Sequence, residues 1–335
     1  MKEFGLTLEQ TRIMFSYQYH LVLADIECET NFEKKQLKRK WLSKWLESTE
    51  VFLKSQIAKD SHTAASFHLV NDFEILKNLV KEIKDEVGNK LTLYLILLEA
   101  TLFTPYYLLG DSSDEKFKGL KIADEEKLTK KLELFARSLG IDSNCVRRFK
   151  SNYKQAIEGI KGGINPWLVG IVGTVVLAVV AAFATPVIAG LLAPILAPGL
   201  SGAAAISAVL AALGGGAIAA GGFGMAGGFA VIVAGGSILG AGVGVGIGSL
   251  LAQSPETALT QAAKLEVVMK EIVCIQKDIR LAQEILKEQR QAIRSLEDQL
   301  DELHLNKEKN QKEIENLKKA IEYLKKALER NQDLL

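Results

Sequence analysis

Residue types that commonly carry chemistry are few and scattered in this sequence. None of the four histidines has a second ligand residue at metal-binding spacing; they are His20, His62, His68 and His304. His62 and His68 are six residues apart, a spacing that places them on different faces of a helix. The acidic stretch 111–115 lacks the Asp-x-Asp-x-Asp-Gly order of a calcium-binding loop. The sequence therefore predicts no catalytic residue, no metal site and no enzyme.

A literal G-x-G-x-x-G pattern, the fingerprint of dinucleotide-binding loops, runs from Gly222 to Gly227. That fingerprint binds a nucleotide when it joins a strand to a helix and an acidic residue follows about 20 residues later. Here no Asp or Glu follows before Glu256, and glycine is abundant on both sides. The pattern is explained by composition, and we predict no cofactor.

Between Lys161 and Glu256 the sequence holds no charged residue and consists largely of Gly, Ala, Val, Leu and Ile. A bilayer tolerates such a run, whereas each charge at its centre costs roughly 2.5–3.5 kcal/mol on insertion scales. Pro166 suits the first turn of a helix and Trp167 suits the headgroup level, so these two residues predict where the chain enters the membrane. The apolar stretch that follows is long enough to cross a hydrocarbon core of about 30 Å.

Small residues recur every four positions in the second half of this uncharged interval. Glycines at i and i+4 form a flat stripe that lets helix backbones approach closely in lipid. The predicted helix-packing residues are Gly222, Gly224, Gly228, Gly236, Gly240, Gly244 and Gly248. The alternation of glycine between 240 and 248 also fits a strand, an alternative that needs many copies to pair its backbone in lipid.

The segment before this interval is charged, and its periodicity is helical. The apolar run 91–98 is too short to cross a bilayer and predicts a buried core helix. Asp124 and the acids after it mark a helix start, and Gly140 marks its end. A basic cluster at 34–40 is interpreted as a solvated helix face, with contact to anionic lipid headgroups as the alternative.

Composition narrows the partners and the compartment. Lys and Arg number 41 and Asp and Glu number 40, so the net charge of +1 gives no sign of nucleic-acid binding. The three cysteines are odd in number and far apart, which favours a reducing compartment. The first residues lack the apolar stretch of a signal peptide, so the N-terminal domain is expected to stay in the cytosol.

The C-terminal segment carries a seven-residue repeat of apolar residues that continues to Leu328. Ser254 and Pro255 mark its helix start, and such a repeat predicts a left-handed coiled coil. The predicted oligomerisation residues at its a positions are Ile272, Ile279, Leu286, Ile293, Leu300, Ile314, Ile321 and Leu328. Lys307 and Asn310 form one polar layer, which either fixes the register of a parallel assembly or marks the tip of an antiparallel hairpin. Parallel self-association is favoured, because no Gly or Pro marks a turn there.

The N-terminal segment resembles the TerB-like helical domains associated with tellurite resistance and with phage or stress responses. The matching pieces are Leu23-Ala-Asp25 followed by the charged helix from Asn31, and Ala123-Asp-Glu-Glu126 leading to Ser138-Leu-Gly-Ile141. In better TerB-like matches, acidic residues after the first helix form a metal site, and Asp25, Glu27 and Glu29 stand near that place. The glycine that usually follows the aspartate is missing here, so a solvated acidic turn is the favoured interpretation.

The stretch from Pro198 to Gly222 resembles the glycine- and alanine-rich membrane domain of the small interferon-induced membrane proteins. It is also similar to segments of bacterial membrane proteins of defence and toxin type. These resemblances imply membrane insertion and permeabilisation, and they assign no role to any individual residue.

Together these patterns predict an all-α protein in three parts. Residues 1–162 form a helical domain, residues 163–253 a multi-pass glycine-rich membrane block, and residues 254–335 a coiled coil. The expected location is the inner cell membrane with both ends in the cytosol, and the lysines just before the first span agree with that orientation. A soluble form that hides the membrane block before triggering is the alternative.

The expected function is that of a self-assembling membrane effector, pore-forming or membrane-disrupting in antiphage or stress defence. The alternative is a non-enzymatic scaffold or tether of membranes organised by the coiled coil. The expected partners are the lipid bilayer, further copies of the chain, and a protein that the N-terminal domain senses as a trigger.

Overall fold

The computed structural model describes residues 8–55, 68–86, 91–106, 112–162, 255–305 and 307–335. Regular structure in these ranges is helical, with no strand, which confirms the all-α prediction. The α-helices are α1 (Leu8–Cys28), α2 (Phe32–Ser55), α3 (Phe73–Glu86), α4 (Leu91–Thr101), α5 (Glu125–Ser138), α6 (Asn144–Lys161), α7 (Pro255–Lys270), α8 (Ile279–His304) and α9 (Lys307–Gln332). A 3₁₀ helix (Ser112–Phe117) precedes α5, and a π-helical turn (Glu271–Gln276) follows α7.

The chain divides into two compact units, and the division falls within α6. The first unit contains α1 to α5 and the part of α6 that ends at Lys150. The second contains the rest of α6 from Ser151, together with α7, α8 and α9. The domain boundaries predicted at 162 and 254 stay predictions, since the interval between them lies outside the described residues.

In the first unit α1 is the central helix, and it contacts α2, α3, α4 and α5. Its apolar residues point to several sides, since the consecutive residues Ile13, Met14 and Phe15 are all buried. A helix that is apolar all round must be covered all round. α4 is buried along nearly its whole length, which confirms the core helix predicted at 91–98.

Aromatic side chains join α1 and α2 to the segment after α4. Trp41 and Trp45 of α2 are stacked, with ring centroids 6.1 Å apart and an interplanar angle of 16°. The edge of Tyr106 meets Trp41 at 5.2 Å, and Phe15 of α1 meets Trp45 at 6.1 Å. Such pairs contribute about 0.5–1.5 kcal/mol beyond the burial of their area. Trp41 therefore packs against both Trp45 and Tyr106.

The ends of several helices follow from local chemistry. The side chain of Asp124 accepts a hydrogen bond from the backbone N–H of Lys127 at 2.9 Å, which caps α5 as predicted. Gly140 has a φ of +70° and stands just after α5, where a left-handed residue is needed to close the helix. α7 begins at Pro255, where the missing N–H of proline costs no hydrogen bond.

In the second unit α8 and α9 form an antiparallel hairpin. Gln289 of α8 donates through Nε2 to the backbone oxygen of Leu324 at 3.3 Å, and Glu297 pairs with Lys325 at 2.6 Å. Near the tip, Asn310 donates through Nδ2 to the backbone oxygen of Leu303 at 3.4 Å. Asn331 of α9 also donates through Nδ2 to Oε1 of Gln289 at 3.3 Å. Positions 289, 297 and 303 of α8 therefore contact positions 331, 325 and 310 of α9, which is the antiparallel order. The polar layer predicted from the heptads therefore stands at the tip of a hairpin.

The preference for parallel pairing is corrected by this hairpin. Parallel assembly must overcome the entropy lost when separate chains associate. A short turn within one chain costs far less, because the entropy of loop closure is small for short loops. Neither Gly nor Pro is needed for the reversal: Leu305 ends α8 with helical dihedral angles, and its side chain is 83% exposed.

The predicted heptad repeat is also interrupted before α8. After the π-helical turn, Lys277 adopts a left-handed conformation with φ +59° and ψ +27°. The side chain of Asp278 then accepts from the backbone N–H of Leu281 at 3.0 Å and caps α8. The apolar period therefore runs across two separate helices, with Ile272 before the break and Ile279 after it.

We expect a carbodiimide to link Glu297 to Lys325 within one chain, because their side chains are in contact and both are accessible to the reagent. Mass spectrometry of an equal mixture of isotope-labelled and unlabelled protein checks this. Linked peptides should carry one isotope only, and Lys325→Arg should abolish the link while it keeps the charge. Linked peptides of mixed isotope in statistical proportion would show that the heptads pair between chains.

Candidate functional site

The predicted membrane residues are not among the residues that the structure describes. Pro166, Trp167 and the glycines at 222, 224, 228, 236, 240, 244 and 248 all lie outside the described ranges, so their roles stay predictions. None of the helices that are described combines the length and the apolar composition that crossing a bilayer requires.

The predicted oligomerisation residues pack mainly inside the second unit. Ile272, Leu286, Ile293, Ile314 and Ile321 are buried, and Leu300 and Leu328 are half-buried. Ile279, at the start of α8, is 42% exposed. Because α8 and α9 pair with each other, most of this apolar surface is already covered within one chain. Self-association through these residues stays a prediction.

Asp25, which was expected in a solvated acidic turn, is completely buried near the end of α1. Its Oδ2 accepts from Lys38 Nζ at 2.7 Å and from the Tyr106 hydroxyl, and its Oδ1 accepts from the backbone N–H of Ala123 at 2.6 Å. Lys38 also lies 3.0 Å from Glu29. The expectation is wrong for Asp25, because a lysine of α2 pairs with it inside the core.

The pairing explains how two charges are tolerated in the interior. Lys38 is itself fully buried, and its Nζ lies 5.0 Å from the ring centroid of Tyr106. Burial, together with the hydrogen bond to Asp25, raises the pKa of Tyr106, so that its hydroxyl stays a donor. The hydrogen bond from Lys38 lowers the pKa of Glu29. A buried charge requires such compensation, since an isolated one costs several kcal/mol.

The arrangement leaves Asp25 without a free oxygen for a metal ion. Both of its carboxylate oxygens accept hydrogen bonds from protein donors, and Lys38 supplies the positive charge. In the described parts of the chain, no group of His, Cys, Asp and Glu is arranged to hold a metal. We interpret this buried network as a structural link between α1, α2 and the segments before and after the 3₁₀ helix.

Lys38 had been assigned to the basic cluster at 34–40, and the spacing of its neighbours could have shown otherwise. It precedes Trp41 by three residues and Trp45 by seven, which places it on the apolar stripe of α2. Lys34, Arg39 and Lys40 are exposed, as expected of a solvated face.

Other groups that could do chemistry include His20 and the three cysteines. His20 is buried, and its Nε2 contacts the backbone oxygen of Val70 at 3.0 Å. Burial lowers the pKa of His20, and the hydrogen bond to Val70 opposes that shift. Cys28, Cys145 and Cys274 form no disulfide, and Cys274 is exposed.

A second cluster of charges joins the helices on either side of the uncharged interval. Glu266 of α7 is 1% exposed, and Arg330 of α9 donates to both of its oxygens, through Nε at 2.7 Å and Nη2 at 2.8 Å. Lys270 contacts the same carboxylate at 3.0 Å. The guanidinium of Arg330 also rests on α6: a Cβ on Gly159 would lie 2.7 Å from Nη2 of Arg330 and nearer still to its Cζ. Three helices therefore meet at one side chain.

The electrostatics of this cluster favour the ionised pair. Burial raises the pKa of Glu266, but the hydrogen bonds from Arg330 and Lys270 outweigh it, so the pKa of this carboxyl lies below its usual value. Fork-to-fork pairs of arginine and carboxylate are among the stronger polar contacts in proteins. α7 also carries the charge deep inside the unit, since every residue from 258 to 269 is buried.

The heptad pattern gave no sign of the Arg330 contact. Arg330 follows the a position Leu328 by two residues, and such an outer position is normally solvated. Its partner Glu266 is 64 residues away along the chain. Only the packing of α9 against α7 brings them together.

Comparison with known proteins does not assign this chain to a family. The sequence matches no family model, and neither the curated proteins nor the solved structures give a significant match. The resemblances to TerB-like domains and to glycine-rich membrane proteins therefore stay predictions.

Proposed function

We propose that this protein is a self-assembling membrane effector whose uncharged interval permeabilises a bilayer. The observation that carries the proposal is the complete lack of charge between Lys161 and Glu256. In water so many glycines would weaken a helix by about 1 kcal/mol each relative to alanine. In lipid the backbone hydrogen bonds have no competitor, and glycine stripes serve close packing instead.

The geometry at both ends of the interval supports this proposal. α6 ends at Lys161 and α7 begins at Pro255. Arg330 of α9 packs on Gly159 of α6 and pairs with Glu266 of α7, so the three helices meet within one compact unit. A chain that leaves and returns to the same unit is expected to cross a membrane an even number of times. Both ends would then lie on one side of the membrane, and the lysines before the interval, Lys150, Lys154 and Lys161, favour the cytosolic side of the inner cell membrane.

The hairpin favours the effector over the tether. A tether organised by a coiled coil needs heptads that are free to pair with another chain. Here α8 and α9 pack on each other, and most of their a positions are buried within one chain. We assign the hairpin to control of the unit that flanks the interval, and the first unit to recognition of the trigger.

Release of a trapped dye from vesicles tests the proposal. Full-length protein should bind vesicles of phosphatidylethanolamine and phosphatidylglycerol and empty them. Gly240→Leu with Gly244→Leu should bind yet release dye more slowly, because the bulky side chains keep helices apart. Gly240→Ala with Gly244→Ala is the matched control and should release dye like the wild type.

The other outcomes separate the two functions. Protein that binds vesicles and releases no dye would favour the membrane scaffold. Protein that does not bind them in any state, including after mild denaturation and dilution onto the vesicles, would contradict both functions.

A further inference from the structure

We infer that Arg330 is a latch that holds together the two helices flanking the uncharged interval, and that opening this contact permits membrane insertion. The inference rests on the proposed function, to which it adds a mode of control. It concerns α7, α9 and the part of α6 from Ser151, which all belong to the second unit.

The latch joins a buried group to an accessible one. Glu266 is 1% exposed, whereas the side chain of Arg330 is 37% exposed. The carboxylate therefore cannot reach water without movement of α7, but the guanidinium can be drawn away from outside. An anionic partner that competes for Arg330 would leave Glu266 with Lys270 alone, which is 20% exposed. The contact can therefore be broken by a group that binds Arg330 on α9.

Gly159 makes the three-helix contact feasible. It lies inside α6, where glycine weakens a helix relative to alanine. The contact with Arg330 supplies a reason for it, because a Cβ there would lie within 3.0 Å of the guanidinium, which would have to shift from its present position on Glu266. One turn further along the chain, a Cβ on Gly162 would lie 3.5 Å from Nζ of Lys326, so a second side chain of α9 reaches the end of α6.

Loss of the contact affects both ends of the interval together. α6 leads into residue 163, and α7 begins just after residue 254. Arg330 packs on Gly159 and pairs with Glu266, so this one side chain links α6 and α7 to α9. Once Arg330 leaves, a buried carboxylate has lost its fork partner, and the packing of α7 against α9 is weakened. The ends of the interval are then free to move apart.

The experiment measures opening and insertion separately, on the full chain. Hydrogen exchange of α7 amides in solution reports opening, and dye release from phosphatidylethanolamine–phosphatidylglycerol vesicles reports insertion. The variants are Arg330→Gln and Gly159→Ala, and the matched controls are Arg280→Gln on the exposed face of α8 and Gln155→Ala on α6. We expect at least about tenfold faster exchange in α7 for both variants, a shorter half-time of dye release for both, and no change for the controls.

Gly159→Ala tests the inference by the direction in which the rate of hydrogen exchange changes. Helix propensity alone predicts that it stabilises α6 and slows exchange, whereas the latch predicts faster exchange. Because Gly159→Ala removes no charge, it still tests the inference if Arg330→Gln fails to fold. Unchanged or slower exchange in Gly159→Ala would overturn the inference.

Two further outcomes distinguish this inference from the proposed function. Faster exchange with an unchanged half-time of dye release would overturn the latch and leave the effector proposal standing. No dye release by the wild type or by any variant would contradict the effector proposal, and the latch with it.

Discussion

Replacement of Lys38 by methionine is expected to lower the free energy of unfolding of the first unit by about 3–5 kcal/mol, the usual cost of removing one partner of a buried ion pair. Lys38 Nζ donates to Asp25 at 2.7 Å and supplies the positive charge opposite this carboxylate, and both side chains are fully buried. Without it, Asp25 keeps the Tyr106 hydroxyl and the Ala123 N–H but loses its neutralising charge. Methionine fills the space of the lysine stem, so the loss is electrostatic.

Tryptophan fluorescence in a urea titration measures this effect. Trp41 and Trp45 lie in the core next to Tyr106. A Trp167→Phe background removes the tryptophan of the uncharged interval from the signal. The matched control is Lys40→Met, an exposed lysine on the same helix, which should change the unfolding free energy by no more than about 0.5 kcal/mol.

A second substitution separates charge from packing. Asp25→Asn in the Lys38→Met background should recover part of the lost stability, because a neutral amide needs no buried cation and can still accept from Ala123. If Lys38→Met is no more destabilising than Lys40→Met, the buried network does not hold α1 and α2 together.

Replacement of Arg330 and replacement of Glu266 are expected to change the opening free energy of α7 by very different amounts, although each substitution breaks the same pair. Arg330→Met should lower the opening free energy of α7 by about 3 kcal/mol, because it leaves Glu266 buried with one lysine. Glu266→Met should change it by less than about 1.5 kcal/mol, because replacement of a buried charge by a packed apolar side chain is often neutral. Arg330 and Lys270 can then turn towards water.

Hydrogen exchange of α7 amides under native conditions measures both variants, because their protection reports the free energy of opening. Arg280→Met is the control for loss of an arginine, since that side chain is 91% exposed. Equal effects of Arg330→Met and Glu266→Met would show that the burial difference between the two groups does not control the energetics.

The sequence by itself determined those features that depend on neighbouring residues. The cap at Asp124, the left-handed Gly140 and the start of α7 at Pro255 each follow from one residue and its adjacent backbone. The core helix α4 follows from a short apolar run. These features are local, so the information for them lies within a few positions.

The heptad period predicted that α8 and α9 carry apolar stripes, but it did not give their direction. A seven-residue repeat is compatible with a parallel partner and with a helix folded back on itself. The choice between them depends on whether the entropy lost when two chains associate exceeds the entropy lost when a short turn closes. The seven-residue period carries no information on either entropy. The break at Lys277 was missed for a related reason, since a left-handed lysine is held by its surroundings rather than by propensity.

Only the tertiary structure decided which charges are structural. From the sequence, Lys38 resembles the solvated lysines beside it, and Arg330 resembles an outer coiled-coil residue. In the fold, Lys38 is buried against Asp25 of α1 and Tyr106, and Arg330 pairs with Glu266 of α7. Tyr106 is 81 residues from Asp25, and Glu266 is 64 residues from Arg330. The strength of a pair depends on distance and on exclusion of water. Both are properties of the packed chain, and no local pattern of residue types contains them.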